Sequence, residues 1–137
     1  MWKYYAILSA VFAALTAILA KIGIKGVNGN VATAVRTIVV LMIAWGIVII
    51  GGHMKEVREL SKNNILFLVL SGIATGLSWI CYFKALETGD VSKVAPIDKL
   101  SIVIAMLLAF LLLKETAEPK VIIGGVLITI GAIVIIL

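Results

Sequence analysis

The sequence holds one cysteine and one histidine in 137 residues. A lone Cys81 permits no intrachain disulfide, and His53 lies in a connection without ligand partners at metal spacing, so no metal or nucleophile constellation is available and no cofactor is implied. Charge is also scarce. Only 14% of residues are Asp, Glu, Lys or Arg and 63% are hydrophobic, against about 25% and about 45–50% in soluble domains. The mean hydropathy of +1.22 excludes a soluble globular chain. A net charge of +5 raises the question of nucleic acid, but the basic residues punctuate apolar runs instead of clustering on a polar face. Anchoring at lipid headgroups accounts for them, and no nucleic-acid partner is expected. Long polar segments are missing too. The connections are "KGVNGN", "GGHMKEVRELSKNN", "ALETGDV" and "KETAEPK". None can hold an extramembrane domain, so function must lie between helices.

What is present is a series of five apolar runs, each long enough for a spanning helix of about 17–25 residues. They cover about 4–22, 32–50, 65–83, 92–113 and 121–137, and the spans form one domain, 1–137. The first follows Lys3 as a signal peptide would, but it is long for such a segment and "AILAK" is a poor cleavage site, so a retained helix is expected. The loop 55–64 is charged and suits a short surface helix, and Pro119 suits the first turn of the last span. With five spans the termini lie on opposite sides. Lys3, Lys55, Arg58, Lys62, Lys114 and Lys120 fall on one side, and Lys21, Lys25, Lys84 and Lys93 on the other. Arg36 and Lys99 fall inside spans. Six against four favours a cytoplasmic N-terminus only weakly, and so permits insertion in both orientations.

Small and polar residues recur at helical spacing. In the third span Ser71, Thr75, Ser78 and Tyr82 share a face, with Gly72, Gly76 and Trp79 beside them. Ser9, Ala13, Thr16 and Ala20 form a similar stripe in the first span, and Gly124, Gly125, Thr129 and Gly131 supply small residues in the fifth. Helices in lipid associate through close packing and hydrogen bonds, which makes these stripes helix seams. The third-span stripe ends in a tyrosine next to a tryptophan and suits a solute cavity equally.

The fourth run, "VSKVAPIDKLSIVIAMLLAFLLLKE", carries Pro96, Asp98 and Lys99. A charge at a helix centre in the bilayer costs about 2.5–3.5 kcal/mol on insertion scales, and such groups commonly mark solute or proton pathways. Asp98 shares a face with Ser101, Ala105 and Ala109, and so is expected to point into the bundle. Two readings stand for each charge. Lys99 is a snorkelling anchor or a solute ligand. Asp98 is a carboxylate favoured near a helix start, with Pro96 in the first turn, or a member of the pathway. Arg36, early in its span, is likewise an anchor or a site residue.

The segments "LSAVFAALTAILAKIG", "VATAVRTIVVLMIAW", "ICYFKALETGDVSKVAP", "LLAFLLLKE" and "IGGVLITIGAIVII" follow one another in an order that resembles one EamA repeat of the drug/metabolite transporter superfamily. Lys21 matches a basic residue late in the family's first helix and Arg36 an arginine early in its second. Tyr82 to Leu86 match an aromatic–x–x–Ala–Leu segment ending the third, Glu115 a glutamate closing the fourth, and Gly124 to Gly131 a glycine-bearing fifth. The family's mid-helix proline would fall near Ser101 or Ile102, but the proline here is Pro96.

The resemblance implies an all-α, multi-pass protein of the cytoplasmic membrane, built of five transmembrane helices equal to one repeat. Full-length members carry two repeats in inverted orientation, so an antiparallel homodimer is expected to complete a ten-helix bundle, with a heterodimer as the alternative. It also implies a secondary transporter of a small metabolite and no enzyme activity. The alternative is an accessory half-subunit of a membrane complex, such as a lipid-linked sugar flippase. Small multidrug exporters of the superfamily use a glutamate in the first helix, and "YYAILSAVFAALTAILAKI" has none. Cationic Lys99 and Arg36 suit an anionic or zwitterionic solute instead. The expected transport path comprises Asp98, Lys99, Arg36, Trp79, Tyr82, Thr75, Ser78 and Ser101. Packing is expected through Gly72, Gly76, Gly124, Gly125, Thr129 and Gly131.

Overall fold

A computed structural model describes residues 1–137 and contains helices only. They are α1 (Trp2–Gly23), α2 (Gly29–Ile50), α3 (Met54–Arg58), α4 (Lys62–Thr88), α5 (Val91–Asp98), α6 (Leu100–Leu112) and α7 (Pro119–Ile136). Five stretches are long and apolar enough to cross a membrane: α1, α2, α4, α5 with α6, and α7. Each satisfies its own backbone polar groups, which lipid cannot do. Large apolar side chains from Trp2 to Leu137 stand exposed along the helices. In water such a surface would cost about 25 cal/mol per Å², whereas in hydrocarbon it costs nothing.

The chain divides into two units, Met1–Thr88 and Gly89–Leu137. In the first, α2 packs on α4, with α1 making a smaller contact to α4. The α2 face carries Gly29, Thr33 and Arg36, at i, i+4 and i+7. The α4 face carries Trp79, Phe83 and Leu86 at the same spacing. Gly29, Thr33, Phe83 and Leu86 are buried, Leu86 completely. Thr33 and Thr37 return their hydroxyls to the carbonyls of Gly29 and Thr33, at 2.8 and 2.7 Å, so neither leaves an unpaired donor in the apolar surroundings.

Charge fixes the end of this packing. A helix leaves its last four carbonyls and first four N–H groups unpaired. The Lys21 ammonium, in the last turn of α1, donates to the Leu86 carbonyl in the last turn of α4 at 2.6 Å. The Gly29 N–H, in the first turn of α2, donates to the Glu87 carboxylate. A cation thus sits at one helix C-terminus and an anion at another's N-terminus, each where the macrodipole favours it by about 0.3–1 kcal/mol. Gly29 has to be glycine for this approach. A Cβ there would lie 2.8 Å from Glu87 Oε1 and 3.3 Å from the Phe83 carbonyl carbon.

In the second unit, α5 and α6 both pack on α7. The fourth span is not one helix. Pro96 lies inside α5, not in its first turn, and has no N–H to return to the preceding turn. The Lys99 N–H is shared between the carbonyls of Ala95 and Pro96, at 3.3 and 3.1 Å, which tightens the turn and ends α5 at Asp98. The helix resumes at Leu100. Gly125 and Ala132 on α7 are buried, and Gly125 receives the Met106 side chain of α6. The C-terminus of α6 closes with Lys114 at φ 54°, and the N–H groups of Leu113 and Glu115 both bond back to the Ala109 carbonyl, at 3.1 and 3.3 Å.

Candidate functional site

The α2 face that seats Gly29 and Thr33 carries its next turn to Arg36. The residue lies about 10 Å along the axis from Gly29 at 1.5 Å per residue. Its guanidinium rests on two rings of α4, with Cζ 4.4 Å from the Trp79 centroid and 5.5 Å from that of Phe83. Cation–π contact of this kind is worth about 2 kcal/mol when desolvated. Tyr82 turns its ring edge to Phe83 at 6.3 Å between centroids and 83° between planes. The ion pairs of the chain, His53–Glu56 and Lys99–Asp98, lie elsewhere. Arg36 is therefore held by aromatic faces and not by a carboxylate.

Beside this cluster is a cavity of about 510 Å³ whose walls come from α1, α2 and α4. Thr16 and Arg36 are its polar side chains. Leu19, Val27, Val35 and Phe83 are among the apolar ones. The Lys21–Leu86 and Glu87–Gly29 bonds tie the end of α4 to α1 and α2, next to the turn of α1 and α2 that lines it.

The sequence-derived candidates separate into groups. Arg36 and Trp79 meet, with Tyr82 next to them through Phe83. Thr75 and Ser78 are exposed on α4, and the Thr75 hydroxyl is spent on the Ser71 carbonyl at 2.9 Å. Asp98, Lys99 and Ser101 belong to the second unit. There the Lys99 ammonium lies 3.4 Å from the Asp98 carboxylate of its own chain. On a regular helix adjacent residues diverge by about 100°, and the pair forms at the residue where α5 ends and α6 has not yet begun. Both remain part-exposed, so the pair contributes at most about 1 kcal/mol.

Of the packing candidates, Gly125 is seated against Met106, and Thr129 bonds the Gly125 carbonyl at 2.9 Å. Gly72, Gly76, Gly124 and Gly131 have open space where a Cβ would be. A second cavity of about 370 Å³, between α6 and α7, is apolar apart from Thr129. Phe83 and the Lys21 and Glu87 contacts were not singled out from the sequence, and Thr16 was read there only as part of a helix seam, whereas it lines the cavity. The i, i+4, i+7 spacing of Trp79, Phe83 and Leu86, matched by that of Gly29, Thr33 and Arg36, was the signal that could have found the first.

The EamA-like transporter family matches residues 1–137. A Sinorhizobium protein described as an uncharacterized transporter in the cobO 3′ region is 43% identical over 134 residues, covering 98% of this chain and 95% of its own. An uncharacterized transporter of Clostridium kluyveri is 28% identical over 137 residues, covering 95% of this chain and 42% of its own. No solved structure matches.

Proposed function

We propose, from the premise that this chain belongs to the EamA-like transporter family, that it moves a small anionic or zwitterionic metabolite across the cytoplasmic membrane as a secondary transporter. Family membership makes it a multi-pass membrane transporter and not an enzyme. The observation that carries the solute class is Arg36. It is a permanently charged group within a membrane-spanning helix, opening on a cavity and lacking a carboxylate partner. Ionisable groups at such depth ordinarily face the bundle or a solute path.

The assembly in this proposal is an antiparallel pair working by alternating access, the general pattern of inverted-repeat transporters. The six-to-four split of basic residues supports it, as do the open faces at Gly72, Gly124 and Gly131. One relative is matched over nearly its whole length and the other over less than half, so the five-helix unit occurs in chains of both sizes. The same open faces suit a different partner, as in an accessory half-subunit. Purification separates the two cases. A dimer of this chain alone that takes up solute in reconstituted vesicles supports the transporter. A monomer that is inert until a second protein is added supports the accessory subunit.

Lys99 and Asp98 enter the proposal as a second charged point on the path, at the break of the fourth span. Broken spanning helices commonly place polar groups at a solute. Lys99→Gln is expected to lower vesicle uptake of an anionic solute by about tenfold, and Lys99→Arg by less, since a hydrogen bond to a charged group is worth about 1.5–3 kcal/mol. Asp98→Asn, which breaks the pair with Lys99, is expected to lower uptake as well. Wild-type rates in Lys99→Gln and Asp98→Asn would reduce Lys99 to an anchor and remove both residues from the path.

A further inference from the structure

We infer that the cavity beside Arg36 takes a solute with a single carboxylate on an apolar body, and neither a zwitterion nor a phosphorylated compound. The inference rests on the transporter reading above and narrows its solute class. The wall chemistry carries it. Aside from Arg36 and the Thr16 hydroxyl the lining is hydrocarbon, with Leu19, Val27, Val35 and Phe83 among it. The volume of about 510 Å³ falls in the range of small-molecule sites, about 300–1,000 Å³. A body that fills this space must itself be apolar, because each polar group left without a partner there is costly.

Arg36 sets the charged end. The Trp79 and Phe83 rings attract its charge but offer no lone pairs. Its planar fork of N–H donors matches a carboxylate bidentately. One guanidinium neutralises one negative charge. A phosphate monoester brings about 1.5–2 at pH 7, and the excess would lie against hydrocarbon. A zwitterion fails for the opposite reason: its ammonium needs a counter-charge and several acceptors, whereas no carboxylate lines the cavity and the Thr16 hydroxyl is the one polar side chain there that can accept. Glu87, one turn beyond Phe83, is engaged by the Gly29 N–H. The aromatic faces of Trp79 and Phe83 already hold Arg36.

Two sources present this ligand chemistry: an organic acid dissolved in water and a fatty acid dissolved in the bilayer. The test uses Trp79 as reporter. With Trp2→Phe and Trp45→Phe introduced, Trp79 is the remaining tryptophan, and its emission is titrated in phosphatidylcholine nanodiscs. The ligands are 3-phenylpropionate, its amide, L-phenylalanine, phenyl phosphate and laurate. The expected result is a saturable change with 3-phenylpropionate and at least tenfold weaker binding of the amide, the amino acid and the phosphate. Arg36→Gln should raise the Kd for 3-phenylpropionate at least tenfold, the loss expected for one charge-assisted contact, and Arg36→Lys, which keeps the charge but not the bidentate fork, by less than Arg36→Gln. Laurate binding tighter than 3-phenylpropionate assigns the bilayer as source, and weaker binding assigns water.

Equal affinity for the amide, phenylalanine or phenyl phosphate overturns the inference. So does an Arg36→Gln protein that binds like wild type, or the absence of any saturable response to the two carboxylates. Should Arg36→Gln fail to fold, the ligand series on the wild-type site decides alone. Arg36-dependent binding without vesicle uptake would leave the ligand class standing and remove the transport reading. Uptake of a zwitterion by a protein that ignores 3-phenylpropionate would do the reverse.

Discussion

Gly29→Val is expected to destabilise the folded chain by about 2.5–6 kcal/mol, read as a lower midpoint in thermal unfolding in detergent. Two losses add. The first is steric. The new Cβ alone would stand 3.3 Å from the Phe83 carbonyl carbon, which is α4 backbone and cannot swing aside, and forced overpacking of this kind costs about 1–3 kcal/mol. The second is electrostatic. Glu87 Oε1 would be 2.8 Å from the added carbon. The carboxylate can rotate away, but in doing so it gives up the Gly29 N–H, a charged hydrogen bond worth about 1.5–3 kcal/mol. Glu87→Gln separates the two, because it removes the charge and leaves the glycine contact untouched; a loss of about 1 kcal/mol is expected there. Gly46→Ala is the control. It lies on the same helix with open space around its Cβ position, so the alanine should stabilise slightly through the lower backbone entropy of the unfolded chain. A Gly29→Val protein that melts with the wild type would show that α2 and α4 do not make this contact in the folded chain.

These residues also mark where the sequence was legible and where it stopped being so. Helix content and membrane class were written in composition, since 63% hydrophobic residues with 14% charged leave few alternatives. Runs of hydropathy locate apolar helices well because lipid imposes one constraint on every residue of a span. They do not show a break inside a run. The segment 92–113 reads as continuous, with Pro96 in its first turn. The structure carries α5 through Pro96 and stops it at Asp98, because the missing N–H and the shared Lys99 donor alter the hydrogen bonding there.

The site was less legible for a different reason. Arg36 and Trp79 were each visible as unusual residues, but their meeting depends on the axial register of α2 against α4, which no local pattern states. The stripe Ser71, Thr75, Ser78 and Tyr82 is a genuine helical face. The face that α4 turns to α2 runs instead through Trp79, Phe83 and Leu86. Glu87 was invisible for the same reason. In "ALETGD" nothing distinguishes a solvated glutamate from one that accepts the first N–H of another helix.

The largest effect is expected from charge alone, at residues that line no cavity. Asn30→Lys, Thr88→Lys and Ser92→Lys together add three basic residues to the side that has four, making seven against six. All three positions are exposed, so folding should be unaffected. Asn63→Lys, Thr116→Lys and Ala117→Lys, also exposed, load the other side to nine against four. Orientation follows the lysine and arginine bias of short loops. C-terminal reporters on the native chain are therefore expected on both sides of the membrane, and each triple variant is expected on one side only, the two variants on opposite sides. If the working unit is an antiparallel pair, a population of one orientation holds no complete pair. Each triple variant expressed alone should then lose vesicle uptake almost entirely while keeping the wild-type melting behaviour. Expressing the two together should restore it, because oppositely inserted copies are again available. A failed fold cannot imitate that result, since two misfolded chains do not rescue each other. One triple variant that transports alone at the wild-type rate would remove the antiparallel pair, and the faces at Gly72, Gly124 and Gly131 would then have to be assigned to lipid or to another protein.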